Sequence, residues 1–174
     1  MGTWNAFYVR NSGDSTASAI RRKFPAAKFE SGQEFVGVVL TNDAFEPPAD
    51  KLAELSSDLA TDVIWLSFQS VVDAFEFHHW RGGTAVRSLV FGCYRDERTW
   101  ERVEGEAEPW ERSVFFDPKT LRYPLEYAAT DEEKREFERI WREAELLPGR
   151  TEPSLDSCES AHKVAEYYHF PGWS

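Results

Sequence analysis

Residues 73–111 read DAFEFHHWRGGTAVRSLVFGCYRDERTWERVEGEAEPWE, and they decide how the chain folds. Two runs of β-forming residues flank Gly82-Gly83, a pair suited to a two-residue hairpin turn because both positions need positive φ. The stretch holds two of the four histidines, one of the two cysteines and three of the seven tryptophans. Counting back from a turn that sets Arg81 against Thr84 puts His78 opposite Arg87, with Glu76 one diagonal step away. Alternation then places Phe75, Phe77, His79, Val86 and Val90 on one face. The other face takes Glu76, His78, Trp80, Arg87, Leu89, Phe91 and Cys93. Both faces are largely apolar, so further chain must cover part of each.

Outward from the hairpin, periodicity supplies the remaining elements. Residues 4–10 form a strand, and Asp14 or Ser15 caps a helix to about Phe24, closed by Pro25. Lys28–Glu30 and the continuously apolar run Phe35–Thr41 are strands, the second inside the sheet. Pro47-Pro48 opens a helix to about Ala60 carrying Leu52, Leu55 and Leu59, and Asp62 precedes a buried strand. Arg98–Val103 and Ser113–Phe116 add strands, while Asp117-Pro118 and Tyr123-Pro124 mark irregular chain. Thr130-Asp131-Glu132-Glu133 is a capping box opening a helix to about Leu147, and a last helix spans Leu155 to Tyr168. This order predicts an α+β fold: a mainly antiparallel sheet of about five to seven strands packed with about four helices. Residues 1–174 read as one domain whose 117–174 part is mostly helical. The early βα units leave an α/β arrangement as the alternative.

Composition narrows the function classes. The 15% aromatic content is that of a folded chain, and two cysteines make no disulfide framework. No run is long and apolar enough for a membrane span, and no signal peptide is legible, so the expectation is a cytoplasmic protein. Met1-Gly2 opens the chain, but Ala6 stands where a myristoylation motif needs Ser or Thr. Charge is uneven: residues 1–96 carry 9 basic and 12 acidic side chains, a net −3, and residues 97–174 carry 11 and 19, a net −8. Direct nucleic-acid binding is therefore disfavoured, and a basic protein partner suits the acidic half. A homodimer is a further expectation about partners.

Three groups carry candidate chemistry. Glu76, His78 and Arg87 on one hairpin face would supply a general acid–base pair and a cation for an anionic substrate, against the simpler reading of a cross-strand ion pair. A one-residue register slip would dissolve this set. The adjacent His78 and His79 point to opposite faces and make a poor chelate. Cys158 and His162 share a helical stripe that suits zinc or a thiolate–base pair, but Leu155 and Ala165 on the same stripe mark it as a packing face. Trp80, Trp100, Trp110 and Trp173 lie near polar or irregular chain, as in a docking surface or a platform for sugar rings, although core filling or loop anchoring is the commoner role of such rings. No GxSxG, GxGxxG, Walker A or HExxH motif occurs, and nothing calls for a cofactor.

The pattern Phe77-x-x-Trp80-Arg81-x-Gly83-x-x-Val86-Arg87-x-Leu89-x-x-Gly92 resembles hairpins of uncharacterised bacterial proteins of unknown function. That resemblance implies a bacterial origin and transfers no activity. The leading expectation is a non-enzymatic recognition domain, of inhibitor or immunity type, with an acidic, Trp-bearing surface. A small hydrolase or transferase using Glu76, His78 and Arg87 is the alternative, and a small-ligand-binding domain the third.

Overall fold

Seven strands form one sheet in which every neighbouring pair is antiparallel. The computed structural model describes residues 2–40, 46–95, 98–152 and 155–173. The strands are β1 (Thr3–Arg10), β2 (Lys28–Ser31), β3 (Phe35–Val39), β4 (Asp62–Gln69), β5 (Ala74–Arg81), β6 (Thr84–Phe91) and β7 (Trp100–Gly105), in the order β2-β3-β1-β4-β5-β6-β7. The helices are α1 (Asp14–Lys23), α2 (Ala49–Leu59), α3 (Glu111–Phe115), α4 (Arg122–Tyr127), α5 (Asp131–Glu143) and α6 (Ser157–Tyr168). The fold is α+β. Among the described residues no helix is long and apolar enough to cross a membrane.

Strand alternation divides the core into two layers. Phe7, Val9, Val36, Val38, Val63, Trp65 and Trp80 pack on the side of α1 and α2, against Ile20, Leu52 and Leu55. Tyr8, Ile64, Leu66, Phe75, Phe77, Leu89 and Phe91 face the other way, toward Trp110, Val114 and Phe115 at α3, Trp141 of α5, and Ala161, Val164 and Ala165 of α6. Each large side chain so buried stabilises the fold by about 1.5–3 kcal/mol. The chain after α6 returns over β1, with the Phe170 ring stacked on Tyr8 at 3.8 Å and Trp173 edge-on to Trp4 at 5.2 Å. Both indoles donate to the Tyr8 hydroxyl oxygen.

Local chemistry explains most boundaries. Gly82 and Gly83 have φ of 55° and 86°, as the hairpin turn requires. Thr130 and Glu133 form the reciprocal capping box of α5. That helix stops at Glu143 rather than near Leu147, because Ala144 adopts the left-handed conformation. Gly13 caps α1 and Asp14 is its first helical residue, so neither Asp14 nor Ser15 is the cap. β3 ends at Val39, and Thr41 of the expected run lies outside the described residues.

Two expectations about the middle of the chain are corrected. Ser113–Phe116 is not a strand: Glu111–Phe115 is helical, because a short helix sets Val114 and Phe115 together into the core. Helix α4 holds Pro124 in its first turn, where the missing N–H is no loss. These two short helices raise the count from about four to six among the described residues.

Candidate functional site

A β-bulge in the hairpin determines which side chains meet. Arg81↔Thr84 and Trp80↔Ala85 pair as the turn dictates, but the register then shifts so that His79 faces Arg87 and His78 faces Ser88. Val86 is the extra residue. Every residue of β6 beyond it changes face. The gain is hydrophobic: Leu89 and Phe91 join Phe75 and Phe77 in one core layer. The cost to the expected site is direct, since Arg87 leaves the face of Glu76 and His78. Those two are together, with His78 Nε2 2.9 Å from Glu76 Oε1, but the three-residue constellation is not assembled.

On the α1–α2 face, Glu76 is a buried acceptor. Its Oε2 takes the Trp65 indole N–H at 3.0 Å, and its Oε1 takes the hydroxyl of the half-exposed Tyr94 at 3.2 Å as well as His78. Burial and the Glu76 charge raise the Tyr94 phenol above its ordinary value. Beside them, burial followed by the charges of Glu76 and Glu101 pushes the Cys93 thiol up to about 12.

On the opposite face, His79 is 2% exposed and gripped at both ring nitrogens. Nδ1 lies 2.6 Å from Glu108 Oε1 and Nε2 lies 3.0 Å from Asp62 Oδ1. Two carboxylate acceptors require two N–H donors, so the ring is an imidazolium. Burial alone would lower its pKa, but the hydrogen bonds to Asp62 and Glu108 outweigh it, and the net direction is upward. Asp62 accepts also from Arg81 Nε and Arg10 Nε, each at 2.8 Å, and its pKa is held down, chiefly by His79 against the opposing effect of burial. Burial pushes Glu108 up, but the His79 bond prevails and its pKa is lowered; the Tyr168 hydroxyl donates to its second oxygen at 3.1 Å. The termini of β1, β4, β5 and α6 and the loop before α3 thus meet around one ring.

Arg87 has its own partner on this face. Nε and Nη2 donate to Glu111 Oε1 and Oε2 at 2.8 and 2.6 Å, and Nη1 donates to Gly105 O at 2.8 Å. Burial raises the Glu111 pKa, and Arg87 only partly offsets it. With both His79 nitrogens and the Arg87 fork occupied, these groups fasten the loop from β7 to α3 onto the hairpin. They do not present a free base or nucleophile.

The other expected positions fall apart similarly. Trp80, Trp100 and Trp110 are all buried, so none offers a ring to a partner. The buried stripe of α6 is Ser157, Ser160, Ala161, Val164, Ala165 and Tyr168, rotated away from Cys158 and His162. His162 is exposed and sits edge-on to Trp173 at 4.9 Å. Among the described residues no set of three His, Cys, Asp or Glu side chains converges on a metal position.

Sequence reasoning missed Asp62, Glu108, Glu111 and Tyr168. A signal was present in His79, which alternates with Phe75 and Phe77 on an apolar face and therefore needs buried partners.

Open clefts lie away from both clusters. One of about 730 Å³ runs between α5 and the α3–α4 segment over Phe116, Leu121 and Trp141, and one of about 470 Å³ lies between α1, α2 and the β2–β3 end of the sheet. No family model, curated protein or solved structure matches the chain.

Proposed function

We propose that the protein acts by protein–protein recognition, docking a basic partner on the surface made by α4, α5 and the groove beside them. The observation that carries this reading is the exposed pair Tyr123 and Tyr127 on α4. They are 52% and 69% exposed, with ring centroids 4.7 Å apart, on the helix that follows Leu121, which lines a groove with Phe116 and Trp141. Aromatic anchors beside an apolar groove are the usual centre of an interface. Helix α5 buries Trp141; Lys134 pairs with Asp131 and Arg139 with Glu136 and Glu143, so Glu132, Glu133 and Glu138 are the acids it offers a basic partner, beside Arg135 and Arg142. The charged residues at the groove are Arg112, Asp117, Glu138 and Arg142, two of each sign.

Inhibition of a cationic enzyme or toxin is the version of this role that an acidic docking face supports. Cys93 and Cys158 are unbridged, as suits a reducing compartment such as the cytoplasm.

Affinity capture from the source cells, compared across variants, tests the proposal. A partner retained by wild type should be lost from Glu132→Lys/Glu138→Lys and from Tyr127→Ala, and kept by Lys119→Gln. Capture indifferent to all α4 and α5 changes would overturn it. So would the lack of any stable partner together with turnover in a substrate screen.

A further inference from the structure

The cleft between α1, α2 and β3 has a composition that the rest of the surface lacks. Lys23, Lys28 and Lys51 all line it, three of the chain's six lysines, although the chain carries a net −11. Between them lie Phe24, Pro25, Ala27, Val39 and Leu40, an apolar floor at the end of the sheet. The 21–28 segment, RRKFPAAK, has four cations and no acid. Among the described residues the ion pairs of these lysines are those of Lys23, with Glu54 at 2.9 Å and Asp58 at 3.1 Å. Those pairs orient one wall of the cleft. Lys51 Nζ stands 5.7 Å from the Phe24 ring centroid, which holds its ammonium at the mouth.

An apolar floor disfavours a strongly hydrated ion, and a lysine rim disfavours a cationic guest and favours an anionic head group. The volume, about 470 Å³, suits a small-molecule guest. We propose that this cleft binds a small amphiphile, with its apolar body on Phe24, Val39 and Leu40 and a carboxylate or phosphate head between Lys28 and Lys51. This site is separate from the α4–α5 surface and stands or falls independently of it.

Titration of the isotope-labelled protein with monomeric decanoate, decyl phosphate, decanol and decyltrimethylammonium, read by amide chemical shifts, tests the assignment. Decanoate or decyl phosphate, or both, should saturate with shifts confined to residues 24–28, 39–40 and 51, and whichever binds tighter identifies the head group. Lys28→Gln/Lys51→Gln should weaken anionic binding by about tenfold while sparing decanol. Ala27→Trp, which fills the cleft without touching the charges, should abolish binding of all guests. Both lysines are exposed, so the double variant should keep the wild-type spectrum elsewhere. The proposal is overturned if neither anion saturates, or if decanol binds as well as decanoate and the lysine variant changes nothing. It is also overturned if anionic vesicles bind in a lysine-dependent manner while monomeric amphiphiles do not, which would make the patch a membrane contact.

Discussion

His79 and Arg87 face each other across the β5–β6 ladder, yet two different carboxylates hold them, Glu108 and Glu111. The backbone N–H of Glu108 donates to Glu111 Oε1 at 2.8 Å, so both ion pairs close on one short segment. The segment that leads from β7 into α3 is therefore tied to both strands of the hairpin, and its attachment is electrostatic on the inside of the molecule.

Removing one partner of the Arg87–Glu111 pair should be costly. Glu111→Gln leaves a buried guanidinium with no counter-charge, only the glutamine and backbone carbonyl oxygens, and the expected loss is about 3–5 kcal/mol in urea denaturation. Arg87→Met/Glu111→Leu should recover most of that loss, because burial already works against the ionised Glu111. A Glu111→Gln variant as stable as wild type would show that the pair does not hold the loop.

Stability should depend on pH through the His79 cluster. The His79 pKa is raised from 6.5, so its contribution is complete below 6.5 and fades as pH rises through the folded value. Asp62 and Glu108 are lowered from 3.8 and 4.5, so theirs is complete above those values and fades in acid. Glu111 and Glu152, raised by burial, act in the opposite sense above 4.5. Melting temperatures from about pH 5 to 9 should fall on the alkaline side in wild type and fall less in His79→Gln. Parallel curves for the two proteins would refute the linkage.

The two thiols should separate by reactivity. A Cys93 pKa of about 12 leaves almost no thiolate at neutral pH. Iodoacetamide should modify the native protein at Cys158 only, with Cys93 labelled after denaturation, as peptide mapping would read. Rapid labelling of Cys93 in the native state would contradict its raised pKa.

Two glycines test the bulge. A Cβ on Gly105, where φ is +84°, would lie 2.0 Å from the carbonyl oxygen of Val86, the bulged residue. Gly105→Ala should therefore cost about 3 kcal/mol or more. Gly82 at the turn has φ of +55° with nothing within 4 Å, so Gly82→Ala should cost only about 1 kcal/mol. Equal costs in the same denaturation assay would mean that the bulge does not depend on the bare backbone at Gly105.

What the sequence made legible was local. The Gly82-Gly83 turn, the capping box at Thr130 and Glu133, and the leucine stripe of α2 each follow from residues a few positions apart. The bulge at Val86 was not legible, because it answers to Leu89 and Phe91 seeking Phe75 and Phe77 across the ladder. One misplaced residue moved Arg87 to the wrong face and hid Glu111. Trp100 and Trp110 misled for a related reason: polar neighbours in sequence say little about a ring that the fold turns inward.

The Tyr8–Phe170 stack and the Trp173–Tyr8 hydrogen bond join positions more than 160 residues apart, on a strand that lies inside the sheet. During synthesis β1 leaves the ribosome well before residues 161–173, which cover one side of it. Until that segment emerges, this side of the sheet stays partly wet. Contacts of such separation slow folding, so the nascent chain passes through a stage in which a chaperone would find the β1 aromatic face open.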